Sequence, residues 1–300
     1  MEKIPITVLM TVWNGMPYLR EAVESILRQT EKNFSFLILN NGSEDGSAAY
    51  LDGLSDPRLR IVRLPGNIGR SAALNMGLAL VETPYVAVLD ADDIAEPARL
   101  ERQRAFLDAH PEVALLGSDI IYINVAGARI GQERFPNTHG QLRDSMPLMN
   151  QFAHAACMYR AAAAREAGGY PAKLPYAQDM GLWLAMMTQG HTTASLGEFL
   201  ARIRLHPGQA TRSLQLLLLR RADDHRLCER LLAVPGLSSA ARQAACLRSA
   251  AALSGLGHTK MALDRLWKGI CVNPLLVPVN PLLWRRLART ARRRLFPMPL

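Results

Sequence analysis

The sequence has little cysteine and no uninterrupted apolar run long enough to cross a membrane. Its cysteines are too few for a disulfide scaffold in 300 residues, and they lack the close paired spacing of a zinc site. They favour a reducing compartment, the cytoplasm. The four cysteines are Cys157, Cys228, Cys246 and Cys271.

Two further absences restrict the location of the protein. The amino terminus lacks the long apolar region and small-residue cleavage site of a signal peptide, so we interpret residues 6–12 as a first strand. The apolar stretch at 270–284 is interrupted by three prolines, which argues against a transmembrane helix there.

Acidic residues are scarce in the last third of the chain. Residues 211–300 carry 16 Lys or Arg against 4 Asp or Glu, whereas residues 1–210 have a net charge of −3 out of the total of +9. The basic character therefore belongs to the tail. This change of composition predicts two domains, 1–212 and 213–300.

Apolar segments rich in β-branched residues alternate with segments of helical periodicity over the first 130 residues. The predicted strands are 6–12, 34–40, 59–64, 85–90 and 113–123. Continuously apolar strands are typical of a parallel sheet that is covered on both faces. The pattern predicts a doubly wound α/β domain with a mainly parallel sheet and helices on both faces.

A polar cluster follows each of four predicted strands. These clusters are residues 11–15, 40–45, 67–70 and 90–93. Ligands of doubly wound sheets bind beyond the carboxyl ends of the strands, so we expect the four clusters to line one crevice.

The fourth cluster concentrates three carboxylates within four positions. Asp90, Asp92 and Asp93 directly follow a buried strand, and such a set suits Mg²⁺ or Mn²⁺ bound together with substrate phosphates. The alternative is that Asp93 caps the next helix and the other two are solvated loop acids.

Six segments in their order along the chain resemble a known family. They are "ITVLMTVWNG" with "LREAVESILRQT", "FLILNNGSEDGS", "NIGRSAALNMGL", "YVAVLDADDIAEPARLERQ" and "AQDMGLWLAMMTQG". Together they are similar to bacterial family 2 inverting glycosyltransferases over residues 4–210. The resemblance implies the GT-A fold, a nucleoside-diphosphate sugar as donor and a divalent metal, Mn²⁺ or Mg²⁺.

The resemblance also implies roles for individual residues in the donor half. Thr11 and Asn14 would lie near the base and ribose, Asn41 would pair with the uracil ring, and Asp90 would face the ribose. Arg70 and Asn75 would flank the nucleotide. The other implied donor-site residues are Val12 and Ala91.

The implied catalytic residues are an Asp that ligates the metal and an Asp that acts as general base. Asp92 would be the metal ligand, with His206 beside it near the diphosphate. The alternative for His206 is a hydrogen-bonded loop histidine before Pro207. Asp179 would be the base, just before a helix predicted at 181–189, and its alternative role is a simple N-cap.

Three positions depart from the family pattern. The acids usual after the second strand are replaced by Asn40 and Asn41, which puts uridine selectivity in doubt because an amide both donates and accepts. Gln178 replaces a usual Glu, and Gly181 a frequent acid. A retained fold with weakened activity is therefore an alternative.

The remaining segments allow structural and functional interpretations. His154 follows the donor half and is either structural or close to the donor sugar or the acceptor. Residues 240–257 and 259–274 predict a helical hairpin that packs on the catalytic domain or on a second copy, giving a homodimer. Residues 284–296 hold six arginines and no acid, which suits an anionic membrane surface or a solvated tail.

Three function classes compete with one another. The first is a hexosyltransferase of cell-envelope polysaccharide biosynthesis that uses a UDP-sugar and a glycan or lipid-linked acceptor. It would be cytoplasmic, at the inner face of the membrane if the tail binds there. A non-catalytic sugar-nucleotide-binding protein would keep the same motifs. A nucleic-acid-binding protein is disfavoured because the crevice is acidic and the tail has few aromatics.

Overall fold

The structure, a computed structural model, describes residues 4–208 and 217–272. Within these residues the strands are β1 Ile6–Val12, β2 Phe34–Asn40, β3 Leu59–Arg63, β4 Tyr85–Val88, β5 Ile94–Ala95, β6 Val113–Ile123, β7 Arg129–Glu133, β8 Met158–Arg160 and β9 Thr192–Arg204. The helices are α1 Leu19–Leu27, α2 Ser47–Asp52, α3 Arg70–Leu80, α4 Arg99–Ala109, α5 His139–Ser145, α6 Ala161–Glu166, α7 Gln178–Thr188, α8 Leu217–Leu232, α9 Ser239–Gly255 and α10 Thr259–Val272.

The strands form one mixed sheet in the order β3-β2-β1-β4-β8-β6-β9-β5, with β7 paired to β6. The long ladders β1–β2, β2–β3, β1–β4 and β6–β9 are parallel. The short strand β8 is antiparallel to both neighbours and lies between β4 and β6. The predicted α/β fold is therefore confirmed, with antiparallel pairings in its second half.

The sheet is covered on both faces because its central strands are apolar on both sides. Leu9 of β1 belongs to one core cluster together with Leu74 of α3, whereas its neighbours Val8 and Met10 belong to the opposite cluster with Ile26 of α1. Successive strand residues point to opposite faces, so this division follows the strand period. All five strands predicted from the sequence are present within two residues of the expected bounds.

The C-terminal helices pack on the sheet domain. Leu231 of α8 and Ala245 of α9 share a buried cluster with Leu142 of α5 and Trp183 of α7. Helices α9 and α10 form the predicted hairpin, with Gly257 at a positive φ of 92° in the turn. The division into domains 1–212 and 213–300 stays a prediction, and the basic segment at 284–296 lies outside the described residues.

Among the residues that the structure describes, no helix is long and apolar enough to cross a bilayer. The cysteines are free thiols, of which only Cys271 is exposed.

Candidate active site

The four polar clusters predicted at the strand ends are joined by hydrogen bonds. The Asn14 side chain accepts from the Glu44 amide at 2.9 Å, which links the first cluster to the second. The Asn41 side chain donates to Asn67 Oδ1 at 3.0 Å, which links the second to the third. Arg70 contacts Asp90 at 2.6 Å and so links the third to the fourth. The four clusters therefore lie beside one another at the carboxyl end of the sheet, as expected.

The three carboxylates after β4 come together at this crevice. One oxygen from each of Asp90, Asp92 and Asp93 lies within 4.8 Å of the others. The side chains of Asp90 and Asp92 are partly exposed, whereas Asp93 is buried. Carboxylate oxygens at this spacing suit a hard divalent cation.

Asp92 is paired with His206 across the sheet. His206 Nε2 lies 3.0 Å from Asp92 Oδ2, and its ring packs on that of Tyr18 at 4.9 Å between centroids. His206 follows β9 by two residues, so the parallel β6–β9 ladder delivers it to the end of the sheet where the carboxylates lie. The pair offers oxygen and nitrogen donors to one metal ion.

Asp93 holds the end of β9 in place. Its Oδ1 accepts the backbone N–H of Arg204 at 2.8 Å. Helix α4 begins at Arg99, so Asp93 does not cap it, and that alternative is wrong. Burial, followed by the charges of Asp92 and Asp90, raises the pKa of Asp93 well above its ordinary value.

Arg204 is a buried residue that sequence reasoning missed. Its Nε donates to the Asp92 carbonyl at 3.1 Å, Nη2 pairs with Glu21 at 2.5 Å, and the guanidinium lies over the Tyr18 ring at 4.7 Å. It thus fixes the backbone of the loop that carries Asp90, Asp92 and Asp93. The only available signal was its place two residues before His206, because an arginine in a strand otherwise looks like a surface residue.

Asp90 is held by a cation and a histidine. Arg70 Nη2 lies 2.6 Å from its Oδ1, and His154 Nδ1 lies 2.9 Å from the same oxygen. Although burial acts in the opposite direction, Arg70 and His154 keep the pKa of Asp90 well below its ordinary value. His154 Nε2 also lies 3.2 Å from the hydroxyl of Tyr170, so this histidine orients Asp90 from a buried position.

Asp179 lies in the first turn of α7. The helix begins at Gln178 after Ala177, so Asp179 is not the N-cap, and that alternative is wrong. Asn150 Nδ2 donates to Asp179 Oδ2 at 2.9 Å. With its amide turned to suit both neighbours, Gln178 accepts from Arg70 Nε at 3.2 Å and donates to the Pro175 carbonyl. Arg70 therefore connects Asp90 to the residue beside Asp179.

The family model described as "Glycosyl transferase family 2" matches residues 7–167, more than half of the chain. The chain belongs to family 2 of the glycosyltransferases. Its match to "Amylovoran biosynthesis glycosyltransferase AmsE" from Erwinia amylovora is 32% identical over 188 residues, covering 62% of this chain and 70% of the relative.

Solved structures share the fold of this family 2 chain. S. aureus TarS, residues 1–349 in complex with UDP-GlcNAc, superposes with a TM-score of 0.69 at 17% identity, covering 95% of this chain and 88% of the other. The mannosyltransferase PcManGT from Pyrobaculum calidifontis, in complex with GDP-Man and Mn²⁺, gives 0.58 at 14%, covering 97% and 81%. The predicted GT-A fold is thereby confirmed.

Hydrogen bonds within the loop explain why this family 2 glycosyltransferase has Asn41 where an Asp is usual. Asn41 is buried; it donates to Asn67 and accepts from the Ile68 amide at 3.0 Å. A carboxylate could accept but not donate, so the amide ties this loop more fully than the usual Asp would. Its contact with a uracil ring stays a prediction.

Four further residues were predicted to bind the nucleoside-diphosphate sugar, and they differ in their burial and hydrogen bonds. Val12 accepts from the Asn41 amide through its carbonyl at 2.7 Å, and Thr11 and Ala91 are half-buried. Asn75 donates to the Tyr170 carbonyl at 2.8 Å and accepts from the Tyr170 amide at 2.7 Å. Asn75 therefore fixes the turn that carries Tyr170, and its nucleotide contact stays a prediction.

Close packing explains the glycine at position 181. A Cβ there would lie 2.6 Å from both Pro171 Cγ and Leu174 Cδ1. The acid frequent at this position in the family has no room in this chain.

Proposed function

We propose that the chain is a metal-assisted, inverting hexosyltransferase that moves a sugar from a nucleoside-diphosphate sugar to a hydroxyl of a glycan or lipid-linked acceptor. The observation that supports it best is the position of Arg70. This one guanidinium contacts Asp90, the proposed ribose ligand, and Gln178, the neighbour of the proposed base. A single side chain would then contact both a residue that binds the sugar donor and the neighbour of the residue that activates the acceptor.

Asp92 and His206 are the proposed metal ligands. Their contact at 3.0 Å, beside the carboxylate of Asp90, provides the oxygen and nitrogen donors that Mn²⁺ or Mg²⁺ would use with diphosphate oxygens. When bound, the cation would stabilise the negative charge that develops on the leaving diphosphate. The Mn²⁺ complex of the mannosyltransferase supports this assignment.

A uridine diphosphate sugar is the proposed donor. TarS with its UDP-GlcNAc supports uridine, while GDP-Man in the mannosyltransferase keeps guanosine as the second candidate. In this proposal the base and ribose lie against Thr11, Val12, Asn14, Asn41 and Ala91, with Arg70 and Asn75 flanking the nucleotide. The name of AmsE supports a role in polysaccharide biosynthesis of the cell envelope.

Asp179 is the proposed general base. The acceptor oxygen attacks the anomeric carbon as the bond to the leaving phosphate breaks, and the acceptor proton passes to the Asp179 carboxylate. Attack from the face opposite the leaving group inverts the configuration. The amino end of α7 interacts favourably with a negatively charged side chain in its first turn, where Asp179 lies.

We further propose that the enzyme works at the inner face of the cell membrane. The exposed side chains of Leu263 and Trp267 on α10 precede the arginine-rich end of the chain, which supports contact with an anionic surface. A homodimer remains the other proposed use of this helical region.

Calorimetric titration with UDP, GDP and a panel of their sugars tests the metal-site proposal. We expect the nucleotides to bind at least about tenfold more tightly with Mn²⁺ or Mg²⁺ than with a chelator, because the chelator removes the cation that would bridge the protein and the diphosphate. Asp92→Asn should abolish this metal effect because it replaces a charged ligand by a neutral amide. The control is Asp108→Asn, a carboxylate on the far end of α4 that contacts Tyr85 and Arg104. Equal metal dependence of the Asp92→Asn variant and the wild type would contradict the proposed site.

A further inference from the structure

The loop between α5 and the short 3₁₀ helix His154–Ala156 reaches the proposed base. Asn150 in this loop donates through Nδ2 to Asp179 Oδ2 at 2.9 Å, and its Oδ1 accepts the Phe152 amide at 3.2 Å. Both halves of the amide are therefore used. One half shapes the loop, and the other holds one oxygen of Asp179.

The loop that carries Asn150 is fixed from within. Gln151 is buried, and its Nε2 donates to the carbonyls of Ser145 at 3.2 Å and Met149 at 3.0 Å. Met146 and Phe152 at its two ends are buried in the core cluster that also holds Trp183 of α7. The amide of Asn150 is thus presented to α7 by a loop whose two ends are anchored in the same core as the helix.

The C-terminal helices brace this loop from outside. Arg248 of α9 donates through Nη1 to the Pro147 carbonyl at 3.3 Å, and its Nη2 pairs with Asp224 of α8 at 2.5 Å. On the other side of the base, Asp223 of α8 accepts the Tyr176 amide at 3.0 Å. The helices therefore contact both segments that flank Asp179.

We propose that Asn150 is a positioning residue for Asp179, and that α8 and α9 hold it in place through Arg248. The inference rests on the proposed function, in which Asp179 is the base. A carboxylate on a helix surface rotates about its side-chain bonds, and a hydrogen bond to Oδ2 fixes Oδ1 for the acceptor hydroxyl. Small misplacement of a reacting group is costly, on the order of 100-fold in rate for 1 Å.

Two substitutions separate the positioning role from a purely structural one. Asn150→Ala removes both hydrogen bonds. Asn150→Asp keeps an acceptor for the Phe152 amide, since Asp and Asn both close such turns, but it can no longer donate to Asp179 as a carboxylate. A positioning role predicts that both variants lose activity. A role confined to the turn predicts that Asn150→Asp behaves like the wild type.

The assay is release of nucleoside diphosphate from UDP-GlcNAc, UDP-glucose and GDP-mannose in the presence of Mn²⁺. We expect kcat to fall about 10- to 100-fold in both variants, the range typical for loss of a supporting hydrogen bond, while the donor KM changes little. The control is Asn137→Ala, an exposed asparagine earlier in the chain, which should retain full activity. Wild-type kcat in Asn150→Asp overturns the proposal.

A double-mutant cycle with Asp179→Asn distinguishes failure of this inference from failure of the proposed function. If Asn150 acts through Asp179, Asn150→Ala should cause no further loss of kcat in the Asp179→Asn background, whereas independent effects would multiply. Undiminished turnover by Asp179→Asn alone would refute the base and this inference together. A loss in Asp179→Asn with none in Asn150→Asp would refute only the inference.

A crystal structure of Asn150→Ala gives a readout that does not depend on turnover. We expect the Asp179 carboxylate to occupy a different rotamer or several rotamers, with α7 unchanged. A carboxylate that keeps its wild-type orientation would overturn the proposal whatever the assay shows.

Discussion

Asp93 differs from the two carboxylates beside it because its side chain is buried and already accepts a backbone amide. Asp90 and Asp92 are partly open to the crevice, where they can meet a ligand. Asp93 instead joins the loop after β4 to the end of β9 through the N–H of Arg204. Three neighbouring acids of one type thus divide into two that are partly exposed and one that holds the loop.

Substitution of the proposed base is the sharpest residue-level prediction. Asp179→Asn preserves the shape of the side chain but cannot take the acceptor proton, so we expect the kcat for sugar transfer to fall at least about 100-fold. Metal-dependent donor affinity and thermal stability should stay near wild type. Steady-state kinetics and calorimetry on the same preparation check both parts. Near-normal transfer would instead indicate that Asp179 only supports the first turn of α7.

Residues in known motifs could be located from the sequence, and their supporting residues could not. Asp92 and Asp179 were predicted from the order of six segments and His206 from its resemblance to a family histidine, and the structure places Asp92 against His206. Arg204 and Asn150 were missed because their roles depend on contacts with residues far away along the chain. No local pattern distinguishes a buried arginine or a loop asparagine from its many surface counterparts.

At the scale of elements, the start of α7 differs from the sequence prediction at a glycine. The helix was expected at 181–189 but begins at Gln178, so Gly181 lies in its interior. Glycine weakens a helix interior by about 1 kcal/mol relative to alanine. Here its lack of a Cβ admits Pro171 and Leu174, so tertiary packing outweighs helical propensity.

The contact of α8 with the segment before α7 gives a pH-dependent prediction. Burial raises the pKa of Asp223, although the Tyr176 amide and Arg226 act in the opposite direction. A raised pKa in the folded state means that stability is lost as the pH rises through it. Asp223→Asn keeps the acceptor for Tyr176 and removes the charge. We expect it to increase the free energy of unfolding at pH 7 by up to about 1 kcal/mol.

This gain should disappear below the ordinary pKa of an aspartic acid, where the wild-type side chain is neutral in both folded and unfolded chains. Urea denaturation at pH 7 and pH 3.5 measures the difference. Asp224→Asn is the matched control, since this neighbouring carboxylate is paired with Arg248. A larger gain for Asp223→Asn at low pH than at neutral pH would contradict the burial argument.

The strands of the first half were predictable because continuous burial leaves a strong local signal. The bounds of β1, β2 and β6 agree with the sequence prediction residue for residue. The hairpin strand β7 and the long strand β9 were not predicted. The residues of β7 are half-buried or exposed, and in β9 the buried residues are interrupted by partly exposed ones, so neither strand has a continuous apolar run.

On the scale of the whole molecule, charge is separated between the crevice and the carboxyl end. The carboxylates gather at the sheet, and the arginines gather in residues 284–296. A nucleic-acid-binding role would require the basic region to face a groove or stacking aromatics. Their separation along the sequence instead suits the proposed enzyme, whose donor would bind beside the carboxylates while the basic segment would contact an anionic partner.

Removal of residues 282–300 tests the membrane proposal. We expect the truncated chain to release nucleoside diphosphate from its donor like the full chain, but to sediment less with liposomes of anionic lipid. Binding by the full chain should weaken as salt is raised, because surface charges are screened within about 10 Å at 0.1 M salt. Neutral liposomes serve as the control. Equal sedimentation of both chains would favour a solvated tail.

The place of β8 in the sheet determines the order in which a newly synthesised chain can fold. Strands β1 to β4 all lie within the first ninety residues and pair with one another in parallel units closed by short crossovers. Strand β6 follows the short strand β5 in the chain but has no neighbour in that half, because β8 fills the gap between β4 and β6. Domains generally form as units during synthesis at about 5–20 residues per second. Strand β8 is therefore synthesised several seconds after β4, and the single sheet that brings Asp92 to His206 can be completed only after that delay.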